Sequence, residues 1–194
     1  MVDVTSLAPG LLVAAPPMGD PNFDQSVVLL ANHDRSGAFG WVINGKNVMT
    51  FAELFVHAKV GPPETARADG FEGVVRLGGP IGQEHVWLLF RTSEVKEKFA
   101  GQIDLGCGIS ASSSQQMLRA IRNSRQLTSV FGVLGYAGWA PQQLESEVRR
   151  GGWLPTDAEP SLVFDRTPSE IWQSAYARVG VSPISFTSRH VGLA

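Results

Sequence analysis

A chain of 194 residues, 43% hydrophobic and 18% charged, can bury about 70% of the surface its unfolded form exposes, which excludes a disordered or fibrous polymer and predicts a single domain over 1–194. Its formal net charge of -2 and pI near 6.1 provide no broad field for phosphate backbones, so nucleic acid is disfavoured as a partner. The lone Cys107 rules out an intramolecular disulfide and points to the cytoplasm, and no stretch reaches the roughly 18 apolar residues needed to span a bilayer, so no membrane contact is expected.

In chain order, residues 11–15 read as a short buried strand closed by Pro16 and Pro17, and the apolar run around it lacks the basic start of a signal peptide. Asp20 before Pro21 reads as the cap of a one-turn helix, with Phe23 dropping into the core. Residues 27–31 and 38–44 form two strands joined by the turn formers of 32–37, a β-hairpin in which Gly40 relieves crowding or marks a bulge. Thr50 and Glu53 have capping-box spacing, and Phe51, Leu54, Phe55 and Ala58 lie on one face of the helix they start. The stretch 61–70, rich in proline and small residues, reads as a surface loop.

Residues 74–77 and 85–90 are strand candidates flanking "GGPIG", and 103–109 is a weaker strand interrupted by glycine and cysteine. A second box at 112–115 predicts a helix carrying Met117, Leu118 and Ile121 inward and Arg119, Arg122 and Arg125 outward, before a strand at 129–134. Pro141 at a first helical position, Glu145 ahead of Arg149 and Gly151 beyond the last turn mark a short helix. A strand at 162–164 and a helix from Thr167 to Gly180, again with a capping box and Pro168, complete the pattern, leaving a loosely tied tail. About seven strands and four helices in irregular order predict an α+β fold with a curled, largely antiparallel or mixed, barrel-like sheet and surrounding helices.

The chemistry-bearing residues each have a structural alternative. Asp20 as a general acid would need a titratable neighbour, and only Asp24, His33 and Asp34 stand near it in the pattern. His33, His57, His85 and His190 are scattered, without the spacing of a metal site, so neither a metal nor a cofactor is expected. Cys107 between two glycines has no local histidine to activate it. "LGGPIG", with Gly78 and Gly79, lacks the lysine and hydroxyl of a phosphate loop, so its glycines are read as letting the chain reverse between two strands, with an anion cradle as the lesser alternative. Tyr136 and Trp139 on a glycine-flanked turn offer a contact surface, with burial of both rings as the alternative.

The motifs "LLVAAPPMGDPNFDQSVVLLANHDRSGAFGWVIN", "LGGPI" and "LGYAGWAPQQLESEV", in that order and with Trp153 beyond, closely resemble the YqgE/AlgH family of bacterial proteins across essentially the whole chain. The resemblance implies a cytoplasmic α+β protein on a barrel-like, bifurcated sheet. It brings no enzyme activity, and one branch carries a transcriptional-regulator label. The chain departs from the family pattern at Gly45-Lys46, where a basic residue and proline are common, at Phe90 in place of histidine, and at Gln142 in place of glycine. The sequence therefore predicts a non-enzymatic binding or regulatory module for an unidentified protein or small ligand. Its surface is expected to draw on Asp20, His33, Gly78, Gly79, Tyr136 and Trp139, and the alternatives are a transcriptional regulator or a hydrolase or transferase.

Overall fold

The computed structural model describes residues 6–16, 20, 21, 23–60, 71–99 and 101–180. The expected loop at 61–70 and the tail beyond Gly180 lie outside them. The strands are β1 (Gly10–Ala14), β2 (Val27–Asp34), β3 (Gly37–Val42), β4 (Asn47–Thr50), β5 (Val74–Leu77), β6 (Ile81–Arg91), β7 (Ile103–Asp104), β8 (Ile109–Ser112), β9 (Val130–Trp139) and β10 (Trp153–Thr156). The helices are α1 (Phe51–His57), α2 (Gln115–Asn123), α3 (Gln143–Arg149), α4 (Pro160–Phe164) and α5 (Pro168–Arg178). The strands form one curled sheet in the order β10-β1-β2-β3-β9-β6-β8-β7, with β4 and β5 branching off β9. All pairings are antiparallel except β5 with β9, so the expected α+β, largely antiparallel sheet is what the chain forms.

The β9 strand organises everything else. Its residues 132–134 pair with β5 and its residues 137–139 with β3, while β6 runs along 130–136. The sheet therefore forks beside β9. Gly78 fills the crotch, its N–H donating to the Leu134 carbonyl at 2.7 Å and its own carbonyl accepting from Val42 N–H at 2.8 Å. A Cβ at Gly78 would stand 2.6 Å from the Gly135 carbonyl, so only a bare backbone fits between the prongs.

Two capping boxes form as their spacing predicts. Glu53 accepts from Thr50 N–H at 2.7 Å at the start of α1, and Glu170 accepts from Thr167 N–H at 2.9 Å at the start of α5. The β2–β3 hairpin also forms, with a bulge at Ala31 opposite Gly40, where a Cβ would meet the Leu29 carbonyl at 2.3 Å. Its turn is held by Asp34, which accepts from Ser36 N–H at 2.7 Å, from the Ser36 hydroxyl and from Asn32 Nδ2 at 3.0 Å.

Those donors hold the Asp34 carboxyl down at about 2 against an ordinary 3.8, with the Ser36 hydroxyl the largest cause. Because the folded value is depressed, the stabilisation is complete above the ordinary value and is lost as pH falls through about 2. Asp34→Asn is therefore expected to lower the thermal midpoint at pH 6 and to converge on the parent protein as both are titrated toward pH 2. Parallel midpoint curves across that window would refute this account.

Several boundaries differ from the sequence expectation. Residues 162–164 are helical, in α4, because Pro160 occupies a first helical position and the Glu159 carbonyl accepts from Val163 N–H at 3.2 Å. The expected strand at 103–109 is split into β7 and β8 by Gly106 and Gly108, both at positive φ. Helix α2 is capped by Ser114, whose hydroxyl accepts from Met117 N–H, rather than by Ser112. Helix α3 begins at Gln143, two residues after Pro141, and its cap Gln142 takes φ 64, a conformation that glycine adopts with little strain. The described residues after Asp20 form a turn and not a helix: the Asp20 carbonyl accepts from Phe23 N–H at 3.0 Å, and Phe23 is half-buried against Trp153.

Candidate functional site

The six candidate residues do not converge on one site. His33 is 5% exposed, its Nδ1 accepting Leu7 N–H at 3.0 Å and its Nε2 lying 3.5 Å from Glu145 Oε1. An accepting Nδ1 places the proton on Nε2, which lies near Glu145 but makes no hydrogen bond among the described residues, so the ring fastens the N-terminal segment to the hairpin through Nδ1 alone. Gly78 is locked in the fork. Tyr136 and Trp139 lie within β9, not on a turn after it, because Gly135 takes φ 74 and lets the strand continue. Tyr136 is half-buried beside Phe39, whereas Trp139 retains only 7% exposure.

Asp20 and Trp139 do share a depression of about 330 Å³ that Phe23, Glu147 and Trp153 also line. Four of its lining residues are bonded to one another: Glu147 Oε2 accepts both Trp139 Nε1–H and Trp153 Nε1–H at 2.9 Å, and its Oε1 accepts Gln143 Nε2 at 2.9 Å. Trp139 therefore serves as interior packing with an anchored indole, and the surface expected of it is largely closed.

The other candidates resolve individually. Burial pushes the Cys107 thiol above its ordinary value, opposite to the shift that activates a nucleophile. Arg122 does not point outward with Arg119 and Arg125: it reaches back to donate to the Val60 carbonyl at 2.8 Å, pinning the end of α1. Phe90 is buried in β6 beneath α1 and α2. Arg76, which the sequence did not single out, is a buried cation at 8% exposure, donating to the Ile43 carbonyl at 2.6 Å and stacked 4.3 Å from the Phe131 ring. Burial pushes its guanidinium down to about 10.

What does converge is a set of loops far apart in sequence. Asp24 to Ser26, Asn44 to Lys46, and Gly79, Pro80 and Gln83 line a cleft of about 410 Å³ at the open end of the fork, with Val42, Leu77 and Pro80 as its apolar wall. A second depression of about 390 Å³ shares Asp24, Gln25, Asn44, Gly45 and Lys46 with the first and continues to the start of α5 at Pro168 and Trp172. Asn44 is the keystone. Its Oδ1 accepts Val27 N–H at 2.8 Å and its Nδ2 donates to the Gln25 carbonyl at 2.9 Å, holding Gln25 at φ 52. Gly45 crosses Leu77 so closely that a Cβ would lie 2.1 Å from the Leu77 carbonyl. Of the candidate residues only Gly79 lines this cleft. The sequence signal that could have located it is the pairing of turn-forming polar residues with the two glycines, read jointly across three loops.

A groove of about 500 Å³ also runs between α1, β6 and the start of α2, lined by Met49, Leu54, Val86 and Leu118 with His57 and His85 at its rim. Among the described residues no cluster of three or more His, Cys, Asp or Glu could hold a metal ion, and no helix is long and apolar enough to cross a membrane.

A forked, curled, largely antiparallel sheet with helices around it, whose signature loops brace strands and border a cleft at the fork, defines a class of α+β protein. Residues 11–184 match the AlgH-like family DUF179, and the chain belongs to that family. It is 40% identical over 184 residues to a UPF0301 protein of Anaeromyxobacter sp. (strain Fw109-5), an alignment covering 94% of this chain and 92% of that one. A UPF0301 protein of Myxococcus xanthus is 36% identical over 178 residues, covering 92% and 93%. The solution structure of the AlgH protein from Pseudomonas aeruginosa superposes with a TM-score of 0.75 at 32% identity, covering 100% of this chain and 99% of that one.

Proposed function

We propose that this protein is a non-enzymatic binding or regulatory module, a single cytoplasmic domain whose small ligand or protein partner engages the cleft at the sheet fork. The observation that carries this reading is the convergence of three loops, around Gln25, Gly45 and Gly79, on one cleft whose backbone is braced by Asn44. A site held by backbone geometry loses little entropy on binding, which favours recognition. A hydrolase or transferase reading lacks support from the three residues it would use. Asp20, His33 and Cys107 occupy separate places, and the His33 Nδ1 is engaged by a backbone amide.

The test is a two-dimensional amide NMR titration of the full chain with a panel of amino acids, sugars, nucleotides and carboxylic acids added singly. At least one member is expected to shift Gln25, Gly45, Lys46 and Gly79 saturably. Gln83→Trp, at an exposed lining position whose side chain donates to the Gly79 carbonyl at 3.2 Å, is expected to abolish those shifts with only a small change in thermal midpoint. Shifts confined to the groove beside His57 and His85, or no saturable shift, would overturn the assignment.

A further inference from the structure

The cleft and the depression beside it share one cation and one anion. Lys46 and Asp24 line both, and they are the only charged residues among the described ones that line either. No ion pair or hydrogen bond engages either side chain among the described residues, so the two charges face the same groove without neutralising each other.

Their positions are fixed through the backbone. Asp24 precedes Gln25, whose left-handed conformation is held by Asn44 Nδ2, and Lys46 follows Gly45 and accepts Leu77 N–H through its own carbonyl at 2.9 Å. Backbone strain at Gln25 is thus retained beside one charge, and an obligatory close approach at Gly45 beside the other.

We propose that the groove binds a small zwitterion of amino-acid or short-peptide type, its carboxylate on Lys46 and its ammonium on Asp24. This rests on the cleft being a binding site, and it adds the chemistry of the ligand. A groove whose lining charges sum to zero is poorly matched to a polyanion, which meets Asp24, or to a polycation, which meets Lys46. A molecule with one charge of each sign at separate ends satisfies both. The short apolar wall of Val42, Leu77 and Pro80 adjoins the charged pair and suits the uncharged middle of such a ligand.

Triglycine is the probe, compared with N-acetyl-triglycine and triglycine amide, each titrated into the labelled full chain. Triglycine is expected to shift the amides of Gln25, Gly45, Lys46 and Gly79, and removal of either terminal charge to weaken it by about fivefold, as exposed charge pairs allow. In Lys46→Met the free carboxylate should confer no advantage over the amide, while the free ammonium still does. In Asp24→Asn the pattern should reverse. Equal binding of capped and uncapped peptides, or loss of discrimination at the wrong end, overturns the assignment. If neutral molecules fill the cleft and triglycine does not, the zwitterion inference fails and the binding role stands; if nothing enters the cleft, both fail.

Discussion

Glu147→Ala is expected to lower the unfolding free energy by about 4 kcal/mol, because it strands two buried indole N–H groups at once, each costing about 1–3 kcal/mol when left unpaired. Both Trp139 and Trp153 donate to the same oxygen, at 2.9 Å, and the two rings meet edge to face with centroids 5.9 Å apart. They are 7% and 1% exposed, so only water entering from the adjoining depression could replace the lost acceptor. The loss is a large share of the roughly 5–15 kcal/mol that holds an ordinary domain together. Glu147→Gln retains a carbonyl oxygen that can accept from both indoles, and its cost should be about 1 kcal/mol. Urea unfolding followed by far-ultraviolet circular dichroism reads the difference as a lower midpoint at unchanged slope. A midpoint for Glu147→Ala equal to that of Glu147→Gln would show that the carboxylate does not organise the tryptophan pair.

The parts of this fold that local rules govern are the parts the sequence discloses. The boxes at Thr50 and Thr167 need only four consecutive residues, and the β2–β3 hairpin needs only a turn between two aliphatic runs. Errors arise where one residue type has two local meanings. Gly135 reads as the end of a strand, yet at φ 74 it lets β9 continue through Tyr136 to Trp139. Leu162 and Val163 read as a strand because both are apolar, although Pro160 marks a helix start in the manner correctly read at Pro168.

The cleft is hidden for a different reason. Asp24, Lys46 and Gly79 become neighbours only once β3 and β5 take adjacent stretches of β9, and no local pattern encodes that pairing. Arg122 and Arg76 fail the rule that charges face solvent because each finds a main-chain carbonyl, at Val60 and Ile43, in a distant part of the chain. The polar signature residues His33 and Asn44 bind main-chain groups, which supports an architectural role for them, whereas the free charges at Asp24 and Lys46 lie beside that framework.

Gly79→Ala should damage the fork more than any change at its rim. An added Cβ would lie 2.2 Å from the Tyr136 carbonyl carbon and oxygen and 2.6 Å from Ala137 nitrogen, all main-chain atoms of the central strand that cannot swing away. Relief requires β9 and the 77–80 segment to separate, which breaks the neighbouring Gly78–Leu134 and Val42–Gly78 hydrogen bonds. Overpacking against side chains costs about 1–3 kcal/mol, and a clash with fixed backbone lies at or above the top of that range, so a loss of about 3 kcal/mol or more is expected. Gly101→Ala is the control: its φ of +74, like the +154 of Gly79, is unfavourable to a side chain, but a Cβ there meets nothing within 4 Å, and strain alone should cost about 1 kcal/mol. The difference between the two variants therefore measures chiefly the backbone clash at Gly79. In Gly79→Ala the amide resonances of Gln25, Gly45 and Lys46 should also shift without ligand, because the cleft wall moves with the fork, whereas in Gly101→Ala they should stay in place. Equal stability losses in the two variants would mean that close approach at the fork does not set the cleft's shape.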